Sequence, residues 1–126
     1  MPSLEHVQTW IEGYVQAWNS NEPDAIGRLF ADDALYYTEP FSTPWHGRQA
    51  IIEQWLARQD EPGQTRFTWR PLAVTNEVAV IQGQTTYQSP PRTYSNLWVI
   101  RLDADGRCSE FTEWWMEQPA GKAQDA

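Results

Sequence analysis

Tyr14-Val15-Gln16-Ala17-Trp18, then Ile26-Gly27-Arg28-Leu29-Phe30-Ala31-Asp32-Asp33-Ala34, Tyr36-Tyr37-Thr38-Glu39-Pro40 and Gly47-Arg48-Gln49-Ala50-Ile51-Ile52-Glu53-Gln54-Trp55: this stretch decides the fold. A helix pair runs into a short strand that delivers a carboxylate, Glu39, among aromatic residues, and a third helix follows at once. Upstream, Val7, Trp10, Ile11, Tyr14, Val15 and Trp18 advance by threes and fours, which predicts an amphipathic helix from Leu4 to Trp18 ending at Asn19-Ser20-Asn21. Pro23 suits the first turn of a second, short helix with Ile26, Leu29 and Phe30 as its buried side. Ile51, Ile52, Trp55 and Leu56 mark the inner face of the third.

Downstream of Gly63 the period changes to two. Phe67 and Trp69 share one face, Val78, Val80 and Gln82 another, and Asn96, Trp98, Ile100 and Leu102 alternate with Leu97, Val99 and Arg101. Turn chemistry at Thr75-Asn76-Glu77, Ser89-Pro90-Pro91-Arg92 and Asp103-Ala104-Asp105-Gly106 separates long strands of an antiparallel meander. A last strand is expected from about Cys108 to Glu117, and residues 119–126 read as a loose tail after one domain spanning 1–118. Helices first and strands afterwards predict an α+β fold, with three amino-terminal helices covering one face of a curved antiparallel or mixed sheet.

Composition bounds the function. At 126 residues the chain suffices for a single core, and its eight tryptophans require large apolar surfaces to be housed. A formal net charge of −8 argues against nucleic acid and anionic membranes, which are bound through clustered Lys and Arg. One cysteine, Cys108, and two histidines, His6 and His46, supply neither an intrachain disulfide nor a structural zinc site. Without a membrane-spanning apolar run or a secretory signal, the expected location is the cytoplasm.

Tyr14-Val15, Leu29-Phe30-Ala31-Asp32-Asp33-Ala34, Glu39-Pro40, Gly47-x-x-Ala50-Ile51, Asn76-Glu77 and Asp105-Gly106-Arg107 together resemble the nuclear transport factor 2-like superfamily, specifically its SnoaL-like and steroid delta-isomerase branch, over residues 4 to 117. The resemblance implies a cone-shaped roll in which the sheet wraps around a long third helix, an open mouth leading to an apolar pocket, and a homodimer formed through the outer sheet face. In the steroid isomerases a helix tyrosine and a protonated aspartic acid form the oxyanion hole, while an aspartate preceding a proline moves the proton. Here Tyr14 matches the tyrosine and Glu39-Pro40 the proton-moving position, one methylene longer. The place of the protonated acid falls on Trp98, which donates one N–H but shares no proton.

Three residues are therefore catalytic candidates: Tyr14, Glu39 and Glu113. Glu39 is either a solvated strand-end residue or a general base whose pKa is raised by apolar surroundings. Tyr14 is either a core residue or a hydrogen-bond donor to developing negative charge. Glu113 points inward if Phe111, Glu113 and Trp115 form the inner row; with the row turned around, Trp114 is buried instead. Trp18, Phe30, Tyr36, Trp55, Gln82, Asn96, Trp98 and Trp115 are the expected ligand-binding residues, with Gln84 competing with Gln82 for the pocket amide. His46 reads as bordering the third helix, and Asp32-Asp33 as turn and cap chemistry rather than metal ligands. No cofactor is expected. Two classes of function stay open: a cofactor-independent isomerase, cyclase or dehydratase acting on a small hydrophobic molecule, or a pocketed binding or dimerisation module without turnover. Epoxide hydrolysis needs an Asp-Arg-Asp set around a water, which the inward-facing residues do not supply.

Overall fold

A computed structural model describes residues 3–88 and 90–119. The first helix, α1 (Leu4–Ser20), turns the three-and-four spacing into a buried stripe of Val7, Trp10, Ile11, Tyr14 and Ala17. It starts where the Ser3 hydroxyl accepts the His6 backbone N–H and stops where Asn21 adopts left-handed backbone (φ 56°) and returns its own N–H to Ala17 O at 2.7 Å. Pro23 opens the five-residue α2 (Pro23–Gly27). Phe30, expected on that helix, instead begins strand β1 (Phe30–Tyr37), so Asp32 and Asp33 lie on a strand rather than in a turn.

Among the described residues the chain continues through β2 (Trp45–His46), α3 (Arg48–Ala57), β3 (Thr65–Val74), β4 (Ala79–Gln88), β5 (Pro91–Leu102) and β6 (Cys108–Glu117). The six strands form one sheet in the order β2-β1-β6-β5-β4-β3. β3 to β6 are the expected antiparallel meander, whereas β1 joins β6 in parallel, which makes the sheet mixed. Pro71 is accommodated because β3 is an edge strand, and the pairing shifts register beside it. The longest helix is α1, with 17 residues; α3 has ten, contrary to the long third helix that the resemblance implied.

Aromatic packing fixes α1 on the concave face. Tyr14 stacks against Phe111 at 5.6 Å and leans on Trp98 at 4.7 Å, while the fully buried Phe111 also meets Trp98 and Trp10. Trp10 Nε1 donates to Leu29 O at 2.8 Å, and the Cys108 N–H donates to the same carbonyl at 2.7 Å, so one backbone oxygen ties α1 and β6 to the start of β1. These helices and the curved mixed sheet make an α+β roll. Of the tail expected over residues 119–126, all but Pro119 lies outside the described residues.

Candidate functional site

The roll leaves a cavity of about 330 Å³ between α1, α3 and the inner face of the meander. Its wall includes Tyr14, Trp18, Tyr36, Trp45, Trp55, Tyr87, Tyr94, Trp98 and Trp115, and its polar groups are Thr38, Arg58, Gln59, Asp60, Thr85, Asn96 and Glu113. Strand pairing explains the floor. Trp98 on β5 lies directly opposite Glu113 on β6, and Gly83 on β4 lies opposite Asn96, so Asn96, Trp98 and Glu113 share the face under α1.

Glu113 is the centre of a polar chain. Asn96 Nδ2 donates to its Oε2 at 2.8 Å and Trp98 Nε1 donates to the same oxygen at 3.1 Å. Asn96 Oδ1 in turn accepts the Thr85 hydroxyl at 2.7 Å, so the buried amide is held on both sides. No described residue hydrogen-bonds to Oε1. Burial among aromatic rings disfavours the charged form and pushes the Glu113 carboxyl from its ordinary 4.5 to about 7, against the two donors, which favour the carboxylate. Trp98 thus faces, on the next strand, a buried carboxyl that accepts its N–H.

Tyr14 and Tyr36 meet hydroxyl to hydroxyl at 2.7 Å, both on the cavity wall. One O–H is used between them, leaving the second for an acceptor in the cavity. Burial raises the pKa of both phenols well above the ordinary value of 10, so both stay neutral donors across the physiological range. Stacking of Tyr36 on Trp45 at 4.6 Å and the approach of Tyr14 to Trp55 at 4.9 Å hold the rings in place.

The structure brings together Tyr14, Trp18, Tyr36, Trp55, Asn96, Trp98, Glu113 and Trp115 around this cavity. It does not bring the other three. Glu39 is exposed on a turn beyond β1, where Ser42 bonds back to its carbonyl through both N–H and hydroxyl, and it does not reach the cavity wall. Phe30 is fully buried beneath the site, against Trp10 and Tyr36. Gln82 faces outward, where its Oε1 accepts two bonds from Arg70, because the register of β4 turns Ile81, Gly83 and Thr85 inward instead. Gln84 is likewise exposed, as is His46 on β2.

Eight further wall residues were not anticipated: Thr38, Trp45, Arg58, Gln59, Asp60, Thr85, Tyr87 and Tyr94. Thr85 had a signal, since it shares the strand face of Ile81 and Gly83. Asp60 had none. It follows α3, and its Oδ2 accepts Trp18 Nε1 at 2.8 Å and the Tyr87 hydroxyl at 3.2 Å, pinning α1 and β4 together at the mouth. Among the described residues no group of three or more His, Cys, Asp or Glu converges in a metal-binding arrangement, and Asp32 pairs with Arg48 at 2.6 Å. Nor is any helix there long and apolar enough to cross a membrane.

Comparison with known proteins agrees with this architecture. A crystal structure of an NTF-2 like protein of unknown function from Burkholderia xenovorans LB400 superposes with a TM-score of 0.69 at 16% identity, covering 97% of this chain and 94% of that one. At such identity the likeness carries the fold. The family model of the SnoaL-like domain matches residues 11–111, a span that includes the second half of α1, the whole of β1 to β5 and the start of β6. This chain therefore belongs to the SnoaL-like domain family.

Proposed function

We propose that this protein holds a small hydrophobic molecule in the aromatic cavity and exchanges a proton with it through Glu113, without a cofactor. The observation that carries the reading is the placement of the Glu113 carboxyl: it lies on the cavity floor with one oxygen anchored by Asn96 and Trp98 and the other without a hydrogen-bond partner among the described residues, and burial there pushes its pKa up to about 7. A group half ionised near neutral pH can both take and return a proton. In the proposed cycle Glu113 removes a proton from carbon beside a carbonyl, the developing oxyanion accepts the spare O–H of the Tyr14–Tyr36 pair, and the proton returns at the same or another carbon. Isomerisation of an enone, aldol cyclisation and elimination of a β-hydroxyl all begin with such a step. The base role expected of Glu39 passes in this reading to Glu113, because Glu39 stands in water outside the cavity wall.

The reading also includes a homodimer. Leu97 and Trp114 face each other across β5 and β6 on the outer side of the sheet, near Val99, and Trp114 is 41% exposed, with Leu72 and Met116 also exposed. Covering such a patch with a second copy removes it from water.

The catalytic part is tested with an enolisable bicyclic ketone such as 2-tetralone in heavy water, following deuterium uptake beside the carbonyl by NMR. The wild-type protein should accelerate exchange, Glu39→Gln should match it, and Glu113→Gln should lose roughly a hundredfold or more. Saturable binding of the ketone without accelerated exchange would favour the non-catalytic module. Loss of exchange in Glu39→Gln but not in Glu113→Gln would return the base role to Glu39.

A further inference from the structure

The cavity is not equally apolar along its length. Glu113 lies on its floor, and among the described residues that line it Arg58 is the one cation. The guanidinium stands 5.5 Å from the ring centroid of Trp45, in cation–π contact, and makes no hydrogen bond or ion pair with any described residue. Of the two carboxylates on the wall, Glu113 accepts Asn96 and Trp98, and Asp60 Oδ2 accepts both Trp18 Nε1 and the Tyr87 hydroxyl. Arg58 follows α3 directly and its N–H returns to Trp55 O at 3.1 Å, so its backbone is fixed to the same helix end that carries Trp55 into the wall. In a protein of net charge −8, an arginine resting on an aromatic ring at the cavity mouth with its donors free is a site for a negative charge that arrives with the ligand.

Resting on the reading that the cavity takes a small hydrophobic molecule, we infer that the molecule is an acid: a planar or polycyclic carboxylate whose anionic end is held by Arg58 on the Trp45 side of the mouth, while its apolar body lies among Trp55, Trp98 and Tyr36. A guanidinium offers a carboxylate two parallel N–H donors, and the Trp45 ring, 5.5 Å away, favours the cation on that side of the cavity. The end of the molecule opposite the carboxylate then reaches Glu113 and the tyrosine pair. The division of labour is simple: Arg58 selects and orients, the rings supply affinity, and the floor does chemistry. A neutral molecule of the same shape fills the cavity but leaves the guanidinium unused.

The pair 2-naphthoate and methyl 2-naphthoate separates charge from shape. Binding is read by quenching of tryptophan fluorescence at pH 6 in low salt. The wild-type protein should prefer the acid over the ester by about five- to tenfold, a modest factor because Arg58 is exposed to solvent. Arg58→Gln should abolish that preference by weakening the acid alone, Arg58→Lys should restore part of it, and high salt should shrink it in the wild type. Equal affinity for acid and ester in the wild type overturns the acid assignment while leaving the hydrophobic pocket intact. Equal weakening of both by Arg58→Gln also overturns it, since Arg58 then only shapes the mouth. Failure of both compounds to bind overturns the pocket reading itself.

Discussion

Replacing Glu113 by Gln should change how the stability of this protein depends on pH, and the structure sets both the sign and the size. The folded carboxyl binds its proton more tightly than the unfolded one, about 7 against 4.5, so between those values the folded state carries the extra proton. Stability falls with rising pH wherever the folded state binds more protons, so this group favours folding fully below pH 4.5 and loses that contribution as pH rises to about 7. A tenfold difference in proton affinity corresponds to ~1.4 kcal/mol, which gives an upper figure of about 3 kcal/mol across the window, and about 2 kcal/mol once solvent at the open mouth screens the charge. Glutamine keeps an oxygen for the Asn96 and Trp98 donors and never ionises. Urea unfolding of both proteins from pH 4 to pH 8 should therefore show the Gln variant gaining on the wild type by about 2–3 kcal/mol, or on the order of 10 °C in melting temperature. Parallel profiles for the two proteins would show that Glu113 is not desolvated and would remove the basis of its chemical role.

Three other substitutions probe the surroundings. Thr85→Val removes the hydroxyl bonded to the buried Asn96 oxygen and should cost about 1–3 kcal/mol in urea unfolding; a change below ~0.5 kcal/mol would mean that the amide finds another donor. Gly83→Ala should cost about 1–3 kcal/mol and disturb ligand binding, because an added Cβ would stand 2.5 Å from the Phe67 ring, which is itself stacked on Trp98 at 4.5 Å; unchanged stability would mean that Phe67 swings away freely. Trp114→Glu should convert a dimer to a monomer in sedimentation at micromolar concentration, and a monomeric wild type would refute the outer-face interface.

How far residues alone disclose this site depends on what positions each one. Periodicity disclosed the elements: Val7, Trp10, Ile11 and Tyr14 could only be one helix face, and Asn96, Trp98 and Ile100 one strand face, since each pattern buries its apolar set in one way. Glu113 could be read as an interior acid for the same reason, because the spacing of two linked it to Phe111 and Trp115. Gln82 misled because β4 carries aliphatic residues on both faces: Val80 outside and Ile81 inside give the alternation no preferred phase, and only the pairing of Ile81 with Trp98 decides it. Glu39 misled because a motif fixes a place along the chain and not a direction in space; its orientation is set by the turn to Ser42 and by where β1 ends at Tyr37. Arg58, Asp60 and Trp45 were out of reach. Long-range packing of a helix end, a loop and a two-residue strand puts them on the cavity wall, and none of these carries a local pattern.

The proposed chemistry needs one cavity carboxyl that exchanges a proton near neutral pH. Titration of the Glu113 side-chain carboxyl by carbon-13 NMR in the ligand-free protein, assigned by its disappearance in Glu113→Gln, tests it most directly. The expected midpoint is about 7, raised by burial among the aromatic rings. A midpoint near 4.5 would contradict it, leaving a carboxylate that stays ionised and binds ligands only as a fixed charge.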